Sequence, residues 1–116
     1  MDDCLFCGIV AGTVPADIVH ETERTVAFRD IAPAAPVHVL VVPRTHVDNA
    51  ATVGPEHAED LAAMVVAARE IAQAEGIGGE ERGYRLVFNV GRDSANSVPH
   101  LHLHVIGGRS MTWPPG

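Results

Sequence analysis

The spacing of apolar positions changes several times along this chain, and each change predicts an element. Residues 4–11, Cys-Leu-Phe-Cys-Gly-Ile-Val-Ala, suit a short helix stopped by Gly12 and Pro15. Ile18 to Glu21 and Thr25 to Asp30 are short β-prone runs joined across Thr22–Arg24, the pattern of a hairpin. Two prolines between Ile31 and Pro36 predict a loop. Val37 to Val42 is β-branched and almost wholly apolar, which predicts a central strand covered on both faces, with His38 its single polar exception. Pro55 at the first helical position opens a long helix that runs to about Glu75 and stops at Gly76. Its apolar stripe is Ala58, Leu61, Ala62, Val65, Ala68, Ile71 and Ala72, spaced at three and four. Tyr84 to Val90 and His100 to Ile106 read as two further strands.

This order of small helix, hairpin, strand, long helix and two strands predicts an α+β fold with a mostly antiparallel sheet. One long helix on one sheet leaves the other face to loops or to a second subunit. A length of 116 residues suits one domain, 1–116, and a content of 47% apolar and 20% charged residues excludes wholesale disorder. No apolar run approaches the roughly 18 residues that span a bilayer, and no basic stretch precedes an apolar one near the start. The expectation is a cytoplasmic protein with no membrane partner. The net charge is −7, with arginine the only base besides histidine. Such a balance argues against nucleic acid as a partner, because that binding draws on many phosphate contacts. It leaves room for a small anion held by a few well-placed donors.

The most informative stretch is Pro99-His100-Leu101-His102-Leu103-His104-Val105-Ile106. On a strand, a spacing of two predicts His100, His102 and His104 on one face, with Leu101, Leu103 and Val105 on the other. A neutral imidazole is a good nucleophile, and at an ordinary pKa of about 6.5 most of it is neutral at pH 7. Neighbouring imidazoles oppose each other's protonation, so one ring can attack phosphorus while another donates to its oxygens. A stack of core histidines or a His-x-His metal site would use the same spacing. Just before the row, residues 89–98 form a polar loop whose amides and hydroxyls suit an anion.

The run His-Leu-His-Leu-His-Val-Ile resembles the histidine triad, alternating histidine with apolar residues. With Ala27-Phe28-Arg29-Asp30-Ile31, Val42-Pro43-Arg44-Thr45-His46, Gly83-Tyr84-Arg85 and the ending Trp113-Pro114-Pro115-Gly116, nearly the whole chain resembles the histidine-triad (HIT) nucleotide hydrolases and transferases, most closely the Hint branch. The resemblance implies a HIT-like five-stranded antiparallel sheet with one long and one short helix, continued across a homodimer. It implies hydrolysis of purine nucleoside phosphoramidates and mixed anhydrides, releasing the nucleoside monophosphate with no cofactor for catalysis. Position by position, it makes His102 the nucleophile, with His104 and Ser97 on phosphate or leaving-group oxygens and His38 behind the nucleophile. Asn89, Asn96 and Val98 fall in the phosphate loop, and Asp30 would accept from the ribose hydroxyls. Leu5, Phe6, Ile9, Val14, Phe28 and Ile31 match the pocket for the base, and Trp113 would reach toward the partner protomer. Ala95 and Asn96 stand where the family has glycine and glutamine, and Pro99 replaces a bulkier residue. Related readings are a dinucleoside polyphosphate hydrolase, a nucleotidyl transferase, or a non-catalytic nucleotide-binding regulator.

Cys4-x-x-Cys7 is half a tetrahedral zinc site. Some bacterial proteins resembling this one complete it with the residues that here are His46 and His100, which would make a structural zinc. A redox pair and two unconnected thiols are the rival readings.

Overall fold

The Cys4 thiol accepts the backbone N–H of Cys7 and so caps helix α1 (Leu5–Ala11). Gly12, at φ 81°, closes that helix in the left-handed region that a Cβ disfavours. In this computed structural model residues 4–116 are described, and residues 1–3 of the expected 1–116 domain lie outside them. The hairpin follows as β1 (Ile18–Glu21) and β2 (Thr25–Arg29), then β3 (Val37–Pro43), helix α2 (Ala58–Ala74), β4 (Tyr84–Val87) and β5 (Leu103–Gly107). The five strands form one antiparallel sheet in the order β1-β2-β3-β5-β4. The expected α+β architecture of one long and one short helix on a five-stranded antiparallel sheet is present.

β3 is central and every residue in it is buried. Its odd positions, Val37, Val39 and Val41, join Leu103, Val105, Met64, Ala68 and Ile71 in the main core beneath α2. Its even positions, Leu40 and Val42, join Val26, Phe28, Phe6 and Ile9 in a second cluster on the opposite face. Helix α1 therefore covers part of the sheet face that the long helix leaves open, a surface expected to fall to loops or a second subunit.

Four further expectations are corrected. The long helix starts at Ala58, after a single 3-10 turn at Pro55–His57. Its buried stripe is Met64, Ala67, Ala68, Ile71 and Ala72 with Leu61 partly covered, whereas Ala58, Ala62 and Val65 are exposed. An alanine-rich helix offers several stripes of equal spacing, and the larger Met64 side chain decides which one packs. The last strand begins at Leu103, not His100. Its approach is diverted because Pro99 has no N–H and Leu101 donates to Val47 O rather than to a strand (2.6 Å). β4 consequently ends at Val87, opposite His104, instead of reaching Val90, since the ladder it pairs with goes no further.

Candidate active site and thiol–imidazole cluster

Strand register decides which histidines meet. His104 on β5 lies opposite Leu40, and His38 on β3 lies opposite Ile106, so both rings rise from the face beneath α1. His102, just ahead of β5, has its ring centroid 5.0 Å from that of His104, and the His104 centroid is 5.1 Å from that of His38. The imidazole row is thus His102–His104–His38. His100, expected at its end, is fully buried and points into a separate cluster of thiols. His38, expected behind His102, instead supports His104, with His38 Nε2 2.8 Å from His104 Nδ1.

Hydrogen bonds fix the tautomers. His102 Nδ1 lies 2.7 Å from His100 O, and a carbonyl only accepts, so Nδ1 holds the proton and Nε2 keeps a free lone pair. For His38, the Ala34 N–H donates to Nδ1 (2.9 Å), which places the ring proton on Nε2. That proton faces His104 Nδ1, with Asp30 Oδ2 at 3.4 Å as a second acceptor. His104 therefore carries its own proton on Nε2, 3.4 Å from Asn89 Nδ2; turning that amide over brings Oδ1 into the same place to accept the proton. Burial, reinforced by the charges His102 and His38 would carry, lowers the His104 pKa to about 4. At neutral pH His104 is a hydrogen-bond donor, not an acid. The chain of contacts extends outward, because Arg109 Nε donates to Ala34 O (3.1 Å) and so steadies the loop that sets the His38 tautomer.

The apolar residues expected around a base divide. Phe6, Ile9 and Phe28 are buried together with Val14 and Val98 against them. Phe6 meets Phe28 and His102 edge-to-face at centroid distances of 5.2 and 5.1 Å. Leu5 and Ile31 are exposed, and Trp113 stands 81% exposed on the C-terminal tail. Asp30 Oδ1 accepts from the Ala32 N–H and so caps a turn, while Oδ2 lies 3.4 Å from His38 Nε2. Ser97 is exposed and makes no side-chain hydrogen bond among the described residues. Asn96 Oδ1 is buried with no partner, an acceptor in the loop expected to bind phosphate. That loop, with Asn49 beside it, lines an open concavity of about 590 Å³.

Cys4, Cys7, His46 and His100 converge, their ligand atoms all within 4.8 Å of one another. The sulfur-to-nitrogen distances are 3.2 to 3.4 Å, and His46 Nδ1 lies 3.2 Å from His100 Nδ1. His46 Nε2 donates to Asp48 Oδ1 (2.8 Å) and His100 Nε2 to Pro43 O (3.0 Å), so both Nδ1 lone pairs face inward. Burial, with Cys4 adjacent, raises the Cys7 pKa, and burial lowers that of His100. Two inward lone pairs and two thiols leave room for a cation at the centre. Bonds of about 2.3 Å to sulfur and 2.0–2.1 Å to nitrogen suit these separations, and the outer partners Asp48 and Pro43 orient the rings as tetrahedral zinc requires. The donor set fits zinc. Asp48, Ala34 and Arg109 are not legible as site residues: only the His46-x-Asp48 spacing carries any signal, Ala34 acts through its backbone N–H and C=O, and Arg109 acts by a guanidinium hydrogen bond to that carbonyl.

Four similarities to known proteins bear on this arrangement. The family model for the HIT domain matches residues 11–111. The chain is 43% identical over 115 residues to an uncharacterized HIT-like protein of Synechococcus elongatus, covering 99% of this chain and 98% of that one. It superposes on the crystal structure of a HIT family hydrolase from Legionella pneumophila with a TM-score of 0.93 and 48% identity, covering 98% of this chain and 100% of that one. A zinc-bound histidine triad family protein from Mycobacterium smegmatis is similar at a TM-score of 0.78 and 33% identity, over 93% of this chain and 76% of that one.

Proposed function

The chain belongs to the HIT domain family, and from that premise we propose that it is a nucleotide hydrolase, cleaving purine nucleoside phosphoramidates and related mixed anhydrides by way of a nucleotidyl-histidine. The observation that carries this reading is the tautomer of His102, whose Nδ1–H is spent on the His100 carbonyl so that Nε2 is free to attack. In the first step His102 Nε2 bonds to the α-phosphorus, and the bond to the leaving nitrogen or oxygen breaks. The electron pair departs with the leaving atom, which takes a proton from water. His104 Nε2–H donates to a phosphoryl oxygen as negative charge grows there. Water then attacks phosphorus, His102 leaves, and the nucleoside monophosphate is released. The Phe6, Ile9 and Phe28 cluster supports binding of a base, and Asp30 would accept from the ribose hydroxyls.

Zinc at Cys4, Cys7, His46 and His100 would be structural, tying α1 to the backbone that orients His102. The M. smegmatis relative supports this, as does the inward orientation of both imidazoles. A homodimer through the β4 edge would extend the sheet. Leu86 on that edge and Val65 and Val66 on α2 are exposed apolar side chains, 40% to 48% accessible, that such pairing would cover.

Turnover of an adenosine 5′-phosphoramidate by wild type and His102→Ala tests the central step. A loss of at least three orders of magnitude is expected, since the nucleophile has no neighbour able to replace it. Activity within tenfold of wild type would sink the proposal.

A further inference from the structure

Cys4 and Cys7 are the only cysteines in the sequence, and both thiols are free. Cys4 caps α1 and Cys7 follows within its first turn, the Cys7 N–H donating to Cys4 Sγ (3.3 Å). That helical offset of three residues separates the two Cα atoms by about 5 Å, inside the span of roughly 4.4–6.8 Å that a disulfide bridges. Both sulfurs point the same way, since each touches His100 Nδ1, at 3.3 and 3.4 Å. They differ in access. Cys4 is 8% exposed, whereas Cys7 is partly open to solvent. One sulfur therefore meets a dissolved oxidant first, and the other stands behind it, placed to resolve the product.

Joining the two sulfurs would dismantle the donor set that fits zinc. A disulfide supplies no thiolate, so His46 and His100 alone would remain where a closed tetrahedral site uses four ligands. His100 is fully buried, and its Nδ1 finds its contacts in Cys4, Cys7 and His46. Two short routes lead from this cluster to the imidazole row. The His100 carbonyl accepts from His102 Nδ1 (2.7 Å), which sets the tautomer of that ring. Phe6, between the two cysteines on α1, meets His100 and His102 edge-to-face at centroid distances of 6.0 and 5.1 Å.

We propose that Cys4 and Cys7 are a reversible oxidation site for hydroperoxides, whose closure empties the metal site and loosens His102. The Cys7 thiolate attacks a peroxide oxygen, the O–O bond breaks, and the departing oxygen takes a proton and leaves as water or an alcohol. The Cys4 thiolate then attacks the Cys7 sulfenic sulfur, forming the S–S bond and expelling hydroxide, which is protonated to water. Two electrons pass from the sulfurs to the peroxide, and an external dithiol returns them. The consequence for turnover rests on the hydrolase reading above; the oxidation itself does not.

In the test, the full chain loaded with one equivalent of zinc is treated with hydrogen peroxide beside a chromogenic chelator too weak to strip the untreated protein. Release of one zinc per chain is expected, with an intact mass lighter by two hydrogens and a peptide map joining Cys4 to Cys7. Dithiothreitol and added zinc should reverse all three. Over the same course the His102 Nδ1–H signal in proton NMR spectra should shift, and kcat/KM for an adenosine 5′-phosphoramidate should fall about a hundredfold, as a small misplacement of the nucleophile predicts. A chain that takes up no zinc, thiols that gain oxygen without joining, or oxygen added at Met111 while zinc stays bound would overturn the oxidation site. Disulfide formation and zinc release with the His102 signal unmoved would overturn its link to the row. Mass, metal and the His102 signal are read without turnover, so an inactive reduced chain would count against the hydrolase reading alone.

Discussion

His104 receives a hydrogen bond at one nitrogen and is left to donate from the other, and its depressed pKa has a consequence for stability. Its folded pKa of about 4 lies below the ordinary 6.5, so between those values the unfolded chain binds a proton that the native ring refuses. Stability is therefore fully present above about pH 6.5 and is lost as the pH falls toward 4. Urea midpoints measured across that range should fall with acid, and His104→Gln should flatten the slope; an unchanged slope would mean that other groups carry it. A second residue-scale expectation concerns Ala95, the one non-glycine residue with positive φ (63°) among the described residues. Left-handed backbone costs a Cβ-bearing residue about 1–2 kcal/mol, so Ala95→Gly should raise stability by about 1 kcal/mol in a denaturant titration. The chain carries alanine where the family resemblance places glycine, and the backbone has kept the conformation glycine would favour.

At the scale of elements, legibility followed the strength of each local signal. The hairpin, the β-branched β3 and the Gly12 stop of α1 were readable because turn residues and β-branching act locally. The stripe of α2 was misplaced because alanine makes every face nearly equivalent, and only tertiary volume chooses Met64. Met64→Ala should cost about 2–5 kcal/mol by thermal or urea unfolding, whereas Val65→Ala should cost under 1. Comparable losses at both sites would reverse the assigned face. The histidine run was legible as chemistry but not as one row. Alternation holds only while the backbone is strand, and the missing Pro99 donor and the Leu101–Val47 hydrogen bond break it before His102. The row is then completed from β3 by His38, a cross-strand neighbour that no local spacing announces.

For the molecule as a whole, the thiol–imidazole cluster and the imidazole row share one piece of backbone, since His100 contributes its ring to the first and its carbonyl to the second. Zinc bound at a hundred times its Kd would add about 2.7 kcal/mol, or roughly 10 °C for a domain of this size. Stripping metal with a strong chelator should lower Tm by that order, and Cys7→Ser should remove both the metal and the response to chelation. A Tm indifferent to chelation would exclude a structural metal. Leu86→Asp places a charge on the proposed subunit edge and should convert a dimer to a monomer in light scattering; an unaltered mass would locate the interface elsewhere.

The measurement that bears most directly on the central claim is peptide mapping by mass spectrometry, on enzyme trapped during turnover of an adenosine 5′-phosphoramidate and quenched in alkaline denaturant, where phosphohistidine survives. The geometry predicts an adenylyl group on the peptide bearing His102, absent from His102→Ala. Turnover accompanied by an adduct on a different residue, or by full activity in His102→Ala, would contradict it.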